Sequence, residues 1–245
     1  MSFARIPRLH IDQPLKQDGT IEPDKAGCHY LVTVMRLKAG DAVRLFNGRD
    51  GEWLAHLQEA GRKRCSLQVT EFLTPPAPPP DIDYVFAPLK SARLDYIAQK
   101  ATEMGARRIR PVFTDHTVPK RVRVDRLKAN AIEAAEQCNL VFVPEVEEAR
   151  PLADVLACWP RERHIIYCDE AATVSNPIEA LKAVPEGPLA VLIGPEGGFS
   201  ERERAMLRGM TDIVHPISLG PRIMRADTAG VAALALVQAV LGDWR

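Results

Sequence analysis

The chain has 245 residues, 46% of them hydrophobic, and its 32 Lys/Arg balance 32 Asp/Glu to a formal net charge of zero. That is an ordinary soluble globular composition, long enough for one large domain or a medium domain plus a small one. The five cysteines (Cys28, Cys65, Cys138, Cys158 and Cys168) are scattered and never paired as C-x-x-C, which argues against a zinc site and a disulfide framework.

The charge is unevenly placed. Residues 90–128 carry eleven Lys/Arg against four Asp/Glu, whereas residues 129–245 carry ten against seventeen. A basic stretch on a neutral chain hints at a polyanion partner, although a solvated charged helix explains it about as well.

In chain order, residues 3–10 read as a short basic and apolar arm. Gly27–Arg36 reads as a short helix. Ala42–Phe46, Glu52–Gln58 and Arg64–Phe72 alternate as strands, with Asn47–Gly51 as a turn. Successive short strands suggest a small β-barrel over residues 1–73. Residues 74–81 hold five prolines and form a stiff spacer. Beyond it, over 82–245, strands and helices alternate. The strands are Tyr84–Leu89, Ile109–Phe113, His164–Cys168, Leu189–Ile193 and Ile213–Leu219. The helices are Ser91–Met104, Asp125–Cys138, Pro177–Ala183, Ser200–Met210 and Asp227–Leu241, with Ser200 and Glu203 spaced as a capping box. This order predicts an α/β fold with a parallel sheet covered on both faces. Ligands of such sheets bind beyond the carboxyl ends of the strands.

Two Gly/Pro-rich turns occupy that position: Ile193-Gly-Pro-Glu-Gly-Gly-Phe199 and Leu219-Gly-Pro-Arg-Ile-Met-Arg-Ala-Asp-Thr-Ala229. Neither is a Walker A loop or a dinucleotide fingerprint. Both are expected at neighbouring strand ends, enclosing one cleft. Asp227 and Thr228 are placed to cap the last helix. That helix has almost no polar face, so it should be covered on all sides, by a second subunit or by the N-terminal domain. The longest apolar run, Ala229–Leu241, is too short for a membrane span, no apolar signal segment opens the sequence, and the expected location is the cytoplasm.

These two turns closely resemble motifs of the ribosomal RNA small subunit methyltransferase E family, the 16S rRNA (uracil-N3)-methyltransferases of the SPOUT superfamily. Further matches are Lys90-x-x-Arg93, Gln99-Lys-Ala-Thr-Glu-Met-Gly105, Glu133-Ala-Ala-Glu-Gln-Cys138, Arg5-Ile-Pro-Arg8 and the His29…Met35-Arg36 segment. The resemblance implies a PUA-like barrel, then a SPOUT domain with a C-terminal trefoil knot, assembled as a homodimer. It implies S-adenosylmethionine as cofactor and the 16S rRNA of the small ribosomal subunit as partner.

On that reading, Ile193, Gly194, Pro195, Gly197, Gly198, Leu219, Gly220, Pro221, Ile223, Met224 and Thr228 hold the cofactor. Arg222 and Arg225 stabilise charge on the uracil, Glu196 and Asp227 are the possible proton acceptors, and no metal is needed. Arg5, Arg8, Arg36, Lys90, Arg93 and Lys100 contact RNA. Two positions depart from the family pattern. Asp227 stands where Glu is usual, and Asn139-Leu140 where Gly-Arg or Asn-Arg is usual. Two other readings stay open: a non-catalytic RNA-binding or assembly factor of the same fold, and a methyltransferase for another RNA position.

Overall fold

The computed structural model describes residues 6–169 and 176–244; Arg5 lies outside them. The chain forms two compact units. The first is Met1–Pro78 with Ala135–Val143, and the second is Pro79–Ala134 with Pro144–Arg245. The division falls inside the proline spacer. The return of 135–143 to the first unit has no counterpart in the sequence reading, which assigned that stretch to the second.

The first unit is a five-stranded sheet of β1 (Arg8–His10), β2 (Thr20–Ile21), β3 (Ala42–Phe46), β4 (Glu52–Ala60) and β5 (Cys65–Thr74). Its order is β1-β3-β4-β5-β2, with β1 parallel to β3 and the other pairs antiparallel. Alternate residues Val43, Leu45, Ala55, Leu57, Leu67 and Val69 form its core. The expected N-terminal arm is thus part strand, because Leu9 is buried opposite Leu45. The expected helix before β3 is α1 (Lys25–His29) followed by a π-helical turn at Tyr30–Val34, and Arg36 takes a left-handed φ of 57°.

The second unit carries the parallel sheet. Its strands are β6 (Ile82–Phe86), β7 (Arg108–Phe113), β8 (Glu145–Val146), β9 (Arg150–Pro151), β10 (His164–Cys168), β11 (Leu189–Ile193) and β12 (Val214–Ile217). The order is β12-β10-β11-β6-β7-β8, with β9 also pairing β7, and every pairing is parallel. β6 and β11 are buried at every residue, as central parallel strands require.

The helices are α2 (Ser91–Glu103), α3 (Val124–Gln137), α4 (Leu152–Ala157), α5 (Pro177–Lys182), α6 (Glu201–Arg208) and α7 (Ala226–Val240). α4 and α6 join Val85, Ile165 and Leu192 in one apolar cluster. On the opposite face of β6, Tyr84 meets α7, where a Cβ on Gly230 would collide with its hydroxyl. Among the described residues, one face of the last helix is buried. Ala226, Gly230, Ala233, Leu234 and Val237 are buried, while Val231, Ala232, Ala235 and Leu236 stay half-exposed. Among the described residues, no helix is long and apolar enough to cross a membrane.

Candidate active site

The turns after β11 and β12 close on one cavity of about 490 Å³. They are not at neighbouring strand ends as expected, since β10 runs between β11 and β12. The end of β10 supplies the missing wall, through Cys168 and Asp169. Asp169 is paired with Arg204 of α6 at 2.8 Å, both nearly buried. The Cys168 thiol is pushed up to about 12 by loss of solvation, so at neutral pH it is an uncharged surface. Sequence reasoning located the β10 strand but stopped at its last residue. The rule that ligands sit beyond parallel strand ends applied equally to Cys168 and Asp169.

The first turn is shaped by two glycines with different tasks. Gly198 has φ 66°, a conformation strained for any residue with a Cβ, and its N–H donates to Pro195 O at 2.9 Å. Gly194 sits against the Phe199 ring, which a Cβ would meet at 2.6 Å. Gly194 thus makes a close approach to the fold itself, and it also lines the cavity. His116 supports the turn from outside, its Nδ1 lying 3.0 Å from Gly197 O and 3.2 Å from Gly198 O. Just downstream, the capping box forms as expected. Ser200 N donates to Glu203 Oε2 at 2.8 Å, and Glu203 Oε1 also accepts from Asp115 N at 2.8 Å. Ser200 Oγ donates to Asp115 at 2.6 Å and Arg202 pairs with it at 2.7 Å, holding that carboxyl below the usual range.

Of the cofactor residues expected from sequence, Ile193, Gly194, Pro195 and Gly198 line the cavity from the first turn. Leu219, Gly220, Pro221, Ile223 and Met224 line it from the second, although Ile223 is 91% exposed and sits at the rim. Gly197 and Thr228 do not line it. Gly197 backs onto His116, and the Thr228 N–H donates to Asp227 Oδ1 at 2.8 Å. Helix α7 begins at Ala226, with Arg225 as N-cap and no side-chain cap bond. Neither Asp227 nor Thr228 is the N-cap residue, because both already lie within the first turn, where Asp227 Oδ1 accepts from the Thr228 amide.

Arg222 and Glu196 line the cavity, whereas Arg225 and Asp227 do not. Arg93, read from sequence as an RNA contact, links the two carboxylates. Its guanidinium pairs with Glu196 and lies 3.7 Å from Asp227. Both acids named as possible proton acceptors are thus gathered on one arginine at the cavity mouth.

The other cations expected to contact RNA divide by environment. Lys90 and Arg36 are exposed. Lys100 pairs with Glu103 at 2.6 Å. Arg8 is a correction. It is 4% exposed, pairs with Glu52 at 2.6 Å, and donates to the carbonyls of Ala135, Glu136 and Leu140 at 2.5–3.0 Å. Four of its five N–H donors are so engaged and its side chain is 3% exposed, which closes it to a phosphate. Asn139 has φ 57° just after α3, a position that favours Gly or Asn, and its Oδ1 accepts from Arg44 at 3.0 Å. Among the described residues no group of His, Cys, Asp and Glu could hold a metal ion.

Comparison with known proteins decides the family. Residues 76–238 match the RNA methyltransferase domain family, and residues 24–70 match the RNA methyltransferase PUA domain family. The ribosomal RNA small subunit methyltransferase E of Rickettsia conorii is 32% identical over 94% of both chains. The chain belongs to the ribosomal RNA small subunit methyltransferase E family. The Bacillus subtilis enzyme of the same name is 29% identical over 92% of each chain. Among solved structures, a Legionella pneumophila protein in complex with S-adenosylmethionine is 26% identical, with a TM-score of 0.86 over 98% of this chain and 99% of that one. The Neisseria gonorrhoeae family member, at 24% identity, shares the fold with a TM-score of 0.88 over 98% and 100%. The α/β parallel sheet preceded by a PUA-like unit is thus the family fold, and the chain is a methyltransferase.

Proposed function

We propose that this enzyme transfers a methyl group from S-adenosylmethionine to N3 of a uridine in the 16S rRNA of the small ribosomal subunit. The observation that carries the reading is the cavity between the β11 and β12 turns, in a chain of this family. Its volume of about 490 Å³ suits a nucleoside-sized ligand, within the roughly 300–1,000 Å³ usual for such sites. Ile193, Leu219 and Met224 offer apolar side chains and backbone groups for an adenine, and Pro195 and Pro221 stiffen the two walls. The open cavity favours catalysis over a non-catalytic factor, which would have it filled.

When bound, S-adenosylmethionine supplies an electrophilic methyl on a sulfonium, so neither metal nor covalent enzyme intermediate is required. The residues have to align the uracil and manage its N3 proton, and alignment alone can lower the barrier substantially. Arg222 at the cavity and Arg225 at the start of α7 stabilise charge spreading onto the uracil carbonyl oxygens. Glu196 or Asp227, oriented by Arg93, receives the proton. Arg36, Lys90 and Arg93 contact RNA phosphates, and the target base leaves its stack to enter. The C-terminal segment is threaded as a trefoil knot. The half-exposed apolar stripe Val231, Ala232, Ala235 and Leu236 of α7 is covered by a second copy, and the enzyme works in the cytoplasm.

The test is nucleoside mass spectrometry of 16S rRNA from cells with and without the gene. The reading expects 3-methyluridine to disappear in its absence. An unchanged level would reject the product, and loss of a different methylated nucleoside would reassign the target position.

A further inference from the structure

A second cavity, of about 390 Å³, opens beside the first turn of α2. Its floor is apolar: Leu89 and Leu127 are buried there, Leu94 is half-buried, and Val118 is 70% exposed at the rim. Its edge is cationic, formed by Lys90, Arg121, Arg123 and Arg126. Among the described residues Lys90 and Arg121 have no carboxylate partner. Arg123 pairs with Asp125 at 3.0 Å, with both side chains 72% exposed, so that contact exchanges readily with another anion.

The only acid lining this groove among the described residues is Asp95. Its Oδ1 accepts from Arg126 Nε at 2.7 Å and from Asn130 Nδ2 at 3.2 Å. Asp95 is thus tied to Arg126 and Asn130, and the exposed Asp125 to Arg123, which leaves Lys90 and Arg121 as the cations open to a phosphate. The groove also sits close to the candidate active site. Arg93 N donates to Lys90 O at 2.9 Å, and the Arg93 side chain reaches Glu196 on the first cavity, so one helical turn joins the two.

We infer that this groove is a second RNA subsite, holding one nucleotide of single-stranded RNA beside the target uridine. Lys90 and Arg121 grip the phosphate, and the base rests on Leu94 and Val118. A nucleotide combines an anion and a flat, weakly hydrated base, which matches a cationic rim around an apolar floor. The inference rests on the RNA reading above and extends it to a site that the methyl-transfer cavity does not include.

The test uses the full chain and a short fluorescein-labelled oligouridine, with anisotropy followed across a salt series. Calorimetry with S-adenosylmethionine runs in parallel. For the double variant Lys90→Ala/Arg121→Ala we expect roughly tenfold weaker RNA binding and a salt slope shallower by about 0.7, one phosphate's worth for a single strand. The heat of S-adenosylmethionine binding stays at the wild-type level. Wild-type RNA affinity and slope in the double variant would overturn the subsite and the Lys90 phosphate contact, and leave methyl transfer to 16S rRNA standing. If the wild-type chain does not bind the oligouridine and 3-methyluridine is unchanged in cells lacking the gene, both fall. A changed sedimentation coefficient with unchanged RNA binding would make the groove an interface between copies and overturn the RNA assignment.

Discussion

Arg8 and Arg93 were equivalent in sequence, each a cation beside an apolar segment and each expected to touch RNA. In the first unit, Arg8 is enclosed. It bonds Glu52 and three carbonyls, and its guanidinium carbon lies 4.4 Å from the centre of the Phe46 ring. In the second unit, the Arg93 side chain is 35% exposed and faces two carboxylates at the mouth of a cavity. The same residue type serves architecture in one place and an open site in the other. What separates them is the number of fixed acceptors around the guanidinium and the water left beside it.

The largest expected effect is at the enclosed arginine. Arg8→Ala removes the shorter of the two arginine contacts of Glu52, leaving only Arg44 at 3.4 Å, and leaves three carbonyls without their donor. It should cost about 3–5 kcal/mol in urea unfolding of the first unit, as breaking a buried ion pair does. A loss in RNA binding with no loss of stability would instead return Arg8 to the surface.

An intermediate effect belongs to the cavity wall. Gly194→Ala drives a Cβ into the Phe199 ring and should cost about 1–3 kcal/mol by overpacking, with weaker S-adenosylmethionine binding. Wild-type thermal stability in that variant would mean that the turn has slack to give.

Arg93→Ala sharpens the comparison from the other side. The pair is half-exposed, so stability should change by less than about 1 kcal/mol. Methyl transfer should still fall roughly tenfold or more, because Glu196 and Asp227 lose their shared anchor. A large stability loss with unchanged turnover would make Arg93 another Arg8.

The smallest effect is one of pH, and both units should show it. Burial holds His10 and His215 below their ordinary value of 6.5, with the charge of His164 adding to the shift at His215. The unfolded chain then binds protons more readily than the folded one. Stability is intact above about 6.5 and declines as the pH falls below it. Urea midpoints in the two pH ranges should differ in this direction, and His10→Gln with His215→Gln should flatten the dependence. A midpoint that rises on acidification would contradict the burial of both rings.

Much of the second unit was legible because its signals are local. The period of β11, the Ser200–Glu203 capping box and the apolar length of α7 can each be read within a few residues. What escaped depends on distant partners or on very short elements. Arg8 is buried by Glu52, 44 residues away, and by carbonyls more than 120 residues away, so nothing around it in the sequence announces an interior position. Strands of two residues such as β8 and β9, and the six-residue α4, are too short to show a period. The two glycine turns were found, but the part of the cavity wall supplied by Cys168 and Asp169 became visible only once β10 was seen to lie between them.

Calorimetric titration of S-adenosylmethionine into the intact chain tests most directly whether the two turns and the end of β10 form a working donor site. Saturable binding at one site per chain, at concentrations found in cells, is the expected result. A flat titration at those concentrations would show that the cavity does not hold the methyl donor.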